Sequence, residues 1–139
     1  MSKFPFQILG IEHIGIATDN SALNNFFSDI LGLNNPSMEI IKDQGVSTEI
    51  FNTGNGKLEL LKPISKNSPI SKFLKNRGHG VHHIALCVDN LSNALKYLKK
   101  KGVKLINQNP KVGAEGHLIA FIHPHESPGL LIELCQKNN

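Results

Sequence analysis

The segments GIEHIGIATDN (residues 10–20) and GVHHIALCVDN (residues 80–90) decide how this chain folds. Laid over one another with a shift of 70 residues, Ile11 meets Val81, His13 meets His83 and Ile14 meets Ile84. Asp19 then meets Asp89, Asn20 meets Asn90 and, further along, Gly32 meets Gly102. Repetition of this kind marks a fold assembled from copies of one supersecondary unit.

Each copy opens on an apolar strand. Asp-Asn supplies a helix N-cap, followed by SALNNFFSDIL (21–31) in one half and LSNALKYLKKK (91–101) in the other. Leu91, Ala94, Leu95 and Leu98 recur at helical spacing and form one apolar face. Gly32 and Gly102 are placed as left-handed C-caps. Three strands are expected next in each half, at 38–41, 46–52 and 57–62, and at 104–107, 117–123 and 130–135. TGNGK (53–57) carries hairpin signals. HPHESPG (123–129) makes the last turn, with Pro124, Pro128 and Gly129 as breakers. Between the halves, SPISKFLKNRG (68–78) reads as a short helix capped by Ser68, with Pro69 at its first position and Gly78 beyond its end.

The unit is therefore βαβββ, twice, over about 8–63 and 80–136, joined by a linker with a short helix in a single domain. The expected class is α+β: two modules paired into an open, half-barrel mixed sheet with helices on the convex side. The concave side is the natural place for a ligand.

Composition narrows the function. Of 139 residues 40% are hydrophobic, enough for a folded interior. No apolar run reaches the ~18–20 residues of a membrane helix, and no signal peptide is legible. Cys87 and Cys135 are too few for a disulfide scaffold and read as reduced core thiols of a cytoplasmic protein. The net charge of +4 suits an anionic small molecule. Lys99, Lys100 and Lys101 suit a helix C-terminus. No basic stripe is interleaved with aromatics, so no nucleic acid is expected, and no membrane.

Strand parity selects the chemistry. Ile14 and Ile16 share one face of the first strand; His13, Gly15 and Ala17 share the other. In the matching strand Ile84, Leu86 and Val88 oppose His83, Ala85 and Cys87. Bulky aliphatics belong against the helices, so His13 and His83 face the concavity, whereas His82 lies with the bulky set. Glu59 lies between Leu58 and Leu60, and Glu133 between Ile132 and Leu134, so both acids share the histidines' side. Two imidazoles and two carboxylates suit one divalent first-row metal of intermediate hardness, such as cobalt, manganese, nickel or zinc. His79, His117, His123 and His125 lie near strand ends and turns, outside this set.

The pattern is similar to that of the vicinal-oxygen-chelate superfamily. IEHIGIAT, LELLKP, SPISKFL, VHHIAL, KKKGVKLI, PKVGAEGH, FIHP and GLLIELCQ resemble, in order, the methylmalonyl-CoA epimerases, from about residue 8 to 136. The resemblance implies epimerisation at C2 of methylmalonyl-CoA, an acyl-CoA thioester substrate, a homodimer, and a cytoplasmic place (the mitochondrial matrix in a eukaryote). It also implies a metal on His13, Glu59, His83 and Glu133. Glu133 is expected to move the C2 proton. A second base carried by part of the family falls on Thr48 in an ungapped alignment, with Glu49 beside it as the candidate carboxylate. Two other readings use the same fold: a glyoxalase-I-like lactoylglutathione lyase, and a metal-free small-molecule-binding module of the antibiotic-resistance type.

Overall fold

The structure, a computed structural model, describes residues 3–127 and 129–138. Pro128, expected as a breaker of the last turn, lies outside the described residues. The element order is β1 (Ile8–Ala17), α1 (Ala22–Asn25), β2 (Ser37–Ile41), β3 (Val46–Asn52), β4 (Lys57–Pro63), α2 (Pro69–Arg77), β5 (Gly80–Val88), α3 (Leu91–Lys100), β6 (Lys111–Val112), β7 (Leu118–Ile122) and β8 (Ile132–Gln136). This is an α+β protein in which the βαβββ order occurs twice. Its contacts divide it into two compact units, one of residues 13–82 and one of residues 1–12 with 83–139.

In the unit of residues 13–82 the strand order is β2-β3-β4-β1. β1 runs parallel to β4, with Gly15 opposite Glu59, and β3 is antiparallel to both β4 and β2. Phe27, Phe51 and Leu60 form its core with Ile16, Leu23, Leu33 and Leu58. α1 runs into a π-helical turn at Phe26–Ile30, in which the Leu31 N–H reaches the Phe26 carbonyl. In this wider turn Phe27, rather than Phe26, enters the core, its ring meeting Phe51 edge-on at 5.5 Å. Ser21 stands at the N-cap without a side-chain cap bond, and the Asn20 Oδ1 just before it accepts the Ala22 N–H at 2.9 Å. Ser68 Oγ accepts the Ser71 N–H at 3.1 Å and starts α2 with Pro69 at its first position. Gly45, at φ 65°, passes so close to α2 that an added Cβ would stand 2.8 Å from the Ser68 Cβ.

The other unit repeats the plan with the order β5-β8-β7-β6. β5 is parallel to β8, with Ala85 opposite Glu133, and β7 is antiparallel to β8 and β6. Leu91, Ala94 and Leu95 of α3 form its core with Val88, Leu105, Ala120 and Leu134. Asn90 caps α3, its Oδ1 accepting the Asn93 N–H at 2.9 Å. The N-terminal segment is tied here too, the Gln7 N–H donating to the Asp89 carboxylate at 2.8 Å.

One expected strand is absent. Residues 104–107 form only a bridge between Leu105 and Ile122, and the second strand of this module is the two-residue Lys111–Val112. The cause is local. Asn107 Oδ1 takes the Phe121 N–H at 2.8 Å, a donor that a ladder would otherwise claim. Pro110 then has no N–H to offer, and pairing resumes after it.

Candidate active site

Each unit buries one histidine–glutamate pair. His13 leaves β1 and Glu59 leaves β4, with Nε2 and Oε2 3.5 Å apart. His83 leaves β5 and Glu133 leaves β8, with Nε2 and Oε1 3.4 Å apart. Exposure is 4% for His13, 7% for Glu59, 3% for His83 and 4% for Glu133.

The strands explain why acids point where they do. Leu58 and Leu60 belong to the core beside Leu23 and Phe27, so Glu59 between them faces away from α1. Ile132 and Leu134 belong to the core beside Leu91 and Leu95, so Glu133 faces away from α3. Removing a carboxylate from water costs several kcal/mol unless cations or donors replace it. Here each acid has an imidazole nitrogen beside it.

The spacing of each pair also fits a shared ion. Two donors each about 2.1 Å from one cation lie about 3.0 Å apart at a right angle and about 3.4 Å apart at the tetrahedral angle. The nitrogen and oxygen of each pair stand at about that separation. The donor chemistry, imidazole with carboxylate, is that of an intermediate divalent metal.

His82 has the other parity. Its ring meets Phe73 of α2 edge-on at 5.0 Å. Burial, and then the Arg77 guanidinium, hold its pKa down at about 4, so it stays neutral near pH 7. The remaining histidines serve the backbone and the surface. His79 Nε2 lies 2.7 Å from Asp19 and its Nδ1 lies 3.3 Å from the Thr18 hydroxyl. His117 Nδ1 accepts the Asn138 N–H, and His123 Nδ1 accepts the His125 N–H.

Glu49 does not face the His13–Glu59 side. It lies opposite Leu60 in the β3–β4 ladder, on the face of the α1 core, and Asn24 of α1 donates a hydrogen bond to its carboxylate. The position on the Glu59 side is Thr48, opposite Leu61, with its hydroxyl donating to the Glu39 carbonyl at 3.1 Å. The candidate carboxylate of β3, Glu49, is therefore turned away from the Glu59 side, and the aligned position Thr48 lies on it.

One buried acid escaped the reading of the sequence. Glu12 precedes His13 and is 4% exposed, with Lys137 Nζ 3.3 Å from its carboxylate. A charged residue inside an apolar strand was the available signal. Cys135, nearly fully buried, has its thiol pushed up to about 12 by burial and then by the Glu133 and Glu12 carboxylates. Neither cysteine is in a disulfide.

Comparison with known proteins agrees with this fold. The pattern of the Glyoxalase/Bleomycin resistance protein/Dioxygenase superfamily matches residues 12–121. The chain is 40% identical over 127 residues to the uncharacterized protein YqjC of Bacillus subtilis (strain 168), covering 91% of each. It is 38% identical over 128 residues to the mitochondrial methylmalonyl-CoA epimerase of Mus musculus, covering 91% of this chain and 72% of that one. A Streptomyces coelicolor methylmalonyl-CoA epimerase variant in complex with 2-nitronate-propionyl-CoA superposes with a TM-score of 0.88 at 30% identity, over 96% of this chain and 100% of that one. The chain belongs to this superfamily and, within it, to the methylmalonyl-CoA epimerases, a family of isomerases. No helix among the described residues is long and apolar enough to cross a membrane.

Proposed function

We propose that this enzyme interconverts (R)- and (S)-methylmalonyl-CoA by taking a proton from C2 and returning it on the opposite face. The observation that carries the reading is the buried histidine–glutamate pair found once in each module, at repeat-related positions. In this reading His13, Glu59, His83 and Glu133 together hold one divalent cation, cobalt before manganese, nickel or zinc. When bound, such a cation supplies a Lewis acid for the negative charge that develops on the substrate's oxygens.

The chain supplies the rest. A proton between a thioester and a carboxylate is too weakly acidic for an unaided base at neutral pH, so its removal needs a positioned acceptor. Glu133 takes that role. Its strand is held on one side by β5 and on the other by β7, which restricts the carboxylate to one direction. Its burial keeps out water that would compete for the proton. Loss of the proton flattens C2, and return from the other side inverts it. The donor on that other side is not Glu49, which is engaged by Asn24. The homodimer of the family belongs to the same reading, and sedimentation of the purified protein tests it.

The test of function is incubation with methylmalonyl-CoA in heavy water, with and without a chelator. Deuterium should enter C2 only in the metal-loaded sample. Absence of uptake under cobalt or manganese loading refutes the epimerase reading. Turnover of a glutathione hemithioacetal instead assigns the glyoxalase-type reaction.

A further inference from the structure

We propose that a groove between the N-terminal segment and the outer face of α3 binds a polyphosphate anion, a ligand with at least two linked phosphates. The groove has a volume of about 430 Å³ and is lined by Lys3, Lys96, Lys100 and Lys101 together with Asn93 and Tyr97. Among the described residues no carboxylate lines it.

The groove is built rather than incidental. Asn93, Lys96, Tyr97 and Lys100 fall at i, i+3, i+4 and i+7 and form one stripe of the helix. The stripe beside it, Leu91, Ala94, Leu95 and Leu98, belongs to the core. Asn93 Nδ2 donates to the Pro5 carbonyl at 3.1 Å, which fixes the N-terminal segment along α3. Phe4 and Phe6 clasp the Tyr97 ring edge-on at 5.6 and 5.7 Å. Lys3 is thereby brought from the far end of the chain to face three lysines of the α3 region. The Lys101 ammonium lies 5.7 Å from the Tyr97 ring centre, so the ring is the groove's apolar wall.

The helix dipole does not account for this cluster. It favours Lys100 and Lys101 at the end of α3. Lys96 lies a full turn earlier, and Lys3 is not on the helix. Lys96 and Lys100 are like charges at i and i+4, an arrangement that weakens a helix. The helix positions three and four residues from them hold Ser92, Asn93, Tyr97 and Lys99, none of them acidic. Among the described residues none of the four lysines forms an ion pair. Four lysines lining one small volume lack counter-charge among the described residues, and linked phosphates carry several negative charges in a body of that size. Lysine meets phosphate as a point charge, without a planar partner. An acidic peptide needs an extended track with backbone partners, and a duplex needs a line of cations rather than a pocket. α3 stands between the groove and the core, while Glu133 faces away from that core. The site is therefore separate from the proposed C2 chemistry and does not rest on it.

Calorimetric titration of the full chain with inorganic pyrophosphate tests the inference, with orthophosphate and ADP as further arms. Pyrophosphate should bind one per chain, at least about 10-fold more tightly than orthophosphate, and a Lys96→Ala/Lys100→Ala double variant should lose about 10-fold or more. A Lys66→Ala/Lys75→Ala variant, which removes the same charge elsewhere, should bind as the parent does. Equal affinity for ADP and pyrophosphate assigns the site to the diphosphate alone; tighter ADP assigns it to a nucleotide resting on Tyr97. Three outcomes overturn the proposal. One is no saturation below about 1 mM. Another is equal losses in both double variants. The third is a rise in the acyl-CoA KM of the α3 variant matching its loss of pyrophosphate, which returns the groove to the substrate.

Discussion

Glu49 and Glu59 lie on opposite faces of the β3–β4 ladder. Glu49 is paired with Leu60 and Glu59 with Ile50, and cross-strand partners share a side. One acid meets Asn24 on the α1 side; the other meets His13. Two carboxylates of one sheet thus have different chemistry available to them.

The first consequence is a contrast between variants. Glu133→Gln should lower deuterium exchange at C2 by about 100- to 10,000-fold, the usual contribution of a positioned proton acceptor. Glu49→Gln should leave exchange within about threefold, because an amide can still meet Asn24. Exchange rates followed by mass spectrometry decide it. A Glu49→Gln variant as impaired as Glu133→Gln removes the assignment.

Metal content separates the neighbouring histidines. His83→Ala should weaken metal binding by more than about 100-fold, beyond what loss of an outer hydrogen bond does. His82→Ala should keep its metal and lose only the contact with Phe73. Elemental analysis of both proteins after dialysis provides the measurement. Equal retention in the two would mean that the pair of strands does not hold an ion.

Gly45 is constrained twice, by φ 65° and by the 2.8 Å approach to Ser68. Gly45→Ala should therefore destabilise the protein by about 1–3 kcal/mol, read from the urea midpoint. An unchanged midpoint shows that α2 can move aside.

Leu60 is fully buried in one core cluster with Phe27 and Phe51. Leu60→Ala should cost about 2–5 kcal/mol, through lost burial and the cavity left behind. Thermal unfolding followed by circular dichroism measures it. A cost under about 1 kcal/mol would mean that the core collapses around the gap.

Cys135 should resist iodoacetamide at pH 8, because its thiol is buried and pushed up to about 12. Unfolding in urea should expose it. Intact mass before and after denaturant counts the adducts.

Much of the fold is legible along the chain because its signals are local. Asn90 and Ser68 cap their helices through side-chain oxygens, as short-range chemistry requires. β3 spans Val46–Asn52, the range that its alternation marks. The repeat at 70 residues brings out His13 and His83, and alternation next to leucine and isoleucine puts Glu59 and Glu133 on the side away from the helices.

What the sequence by itself determined is this periodic content: two βαβββ units, their caps, and which side chains can share a face. Only the tertiary structure decided the rest. Residues 104–107 have strand-like composition, yet Asn107 spends its side chain on Phe121 and the ladder forms at Lys111–Val112 instead. Thr48 and Glu49 differ by one place, and the cross-strand register settled which of them shares the side of Glu59. Lys3 lines one groove with Lys96 because Phe4 and Phe6 dock on Tyr97. Periodicity specifies orientation within a segment. Register, and contacts between residues far apart in the chain, come from packing, which no single segment encodes.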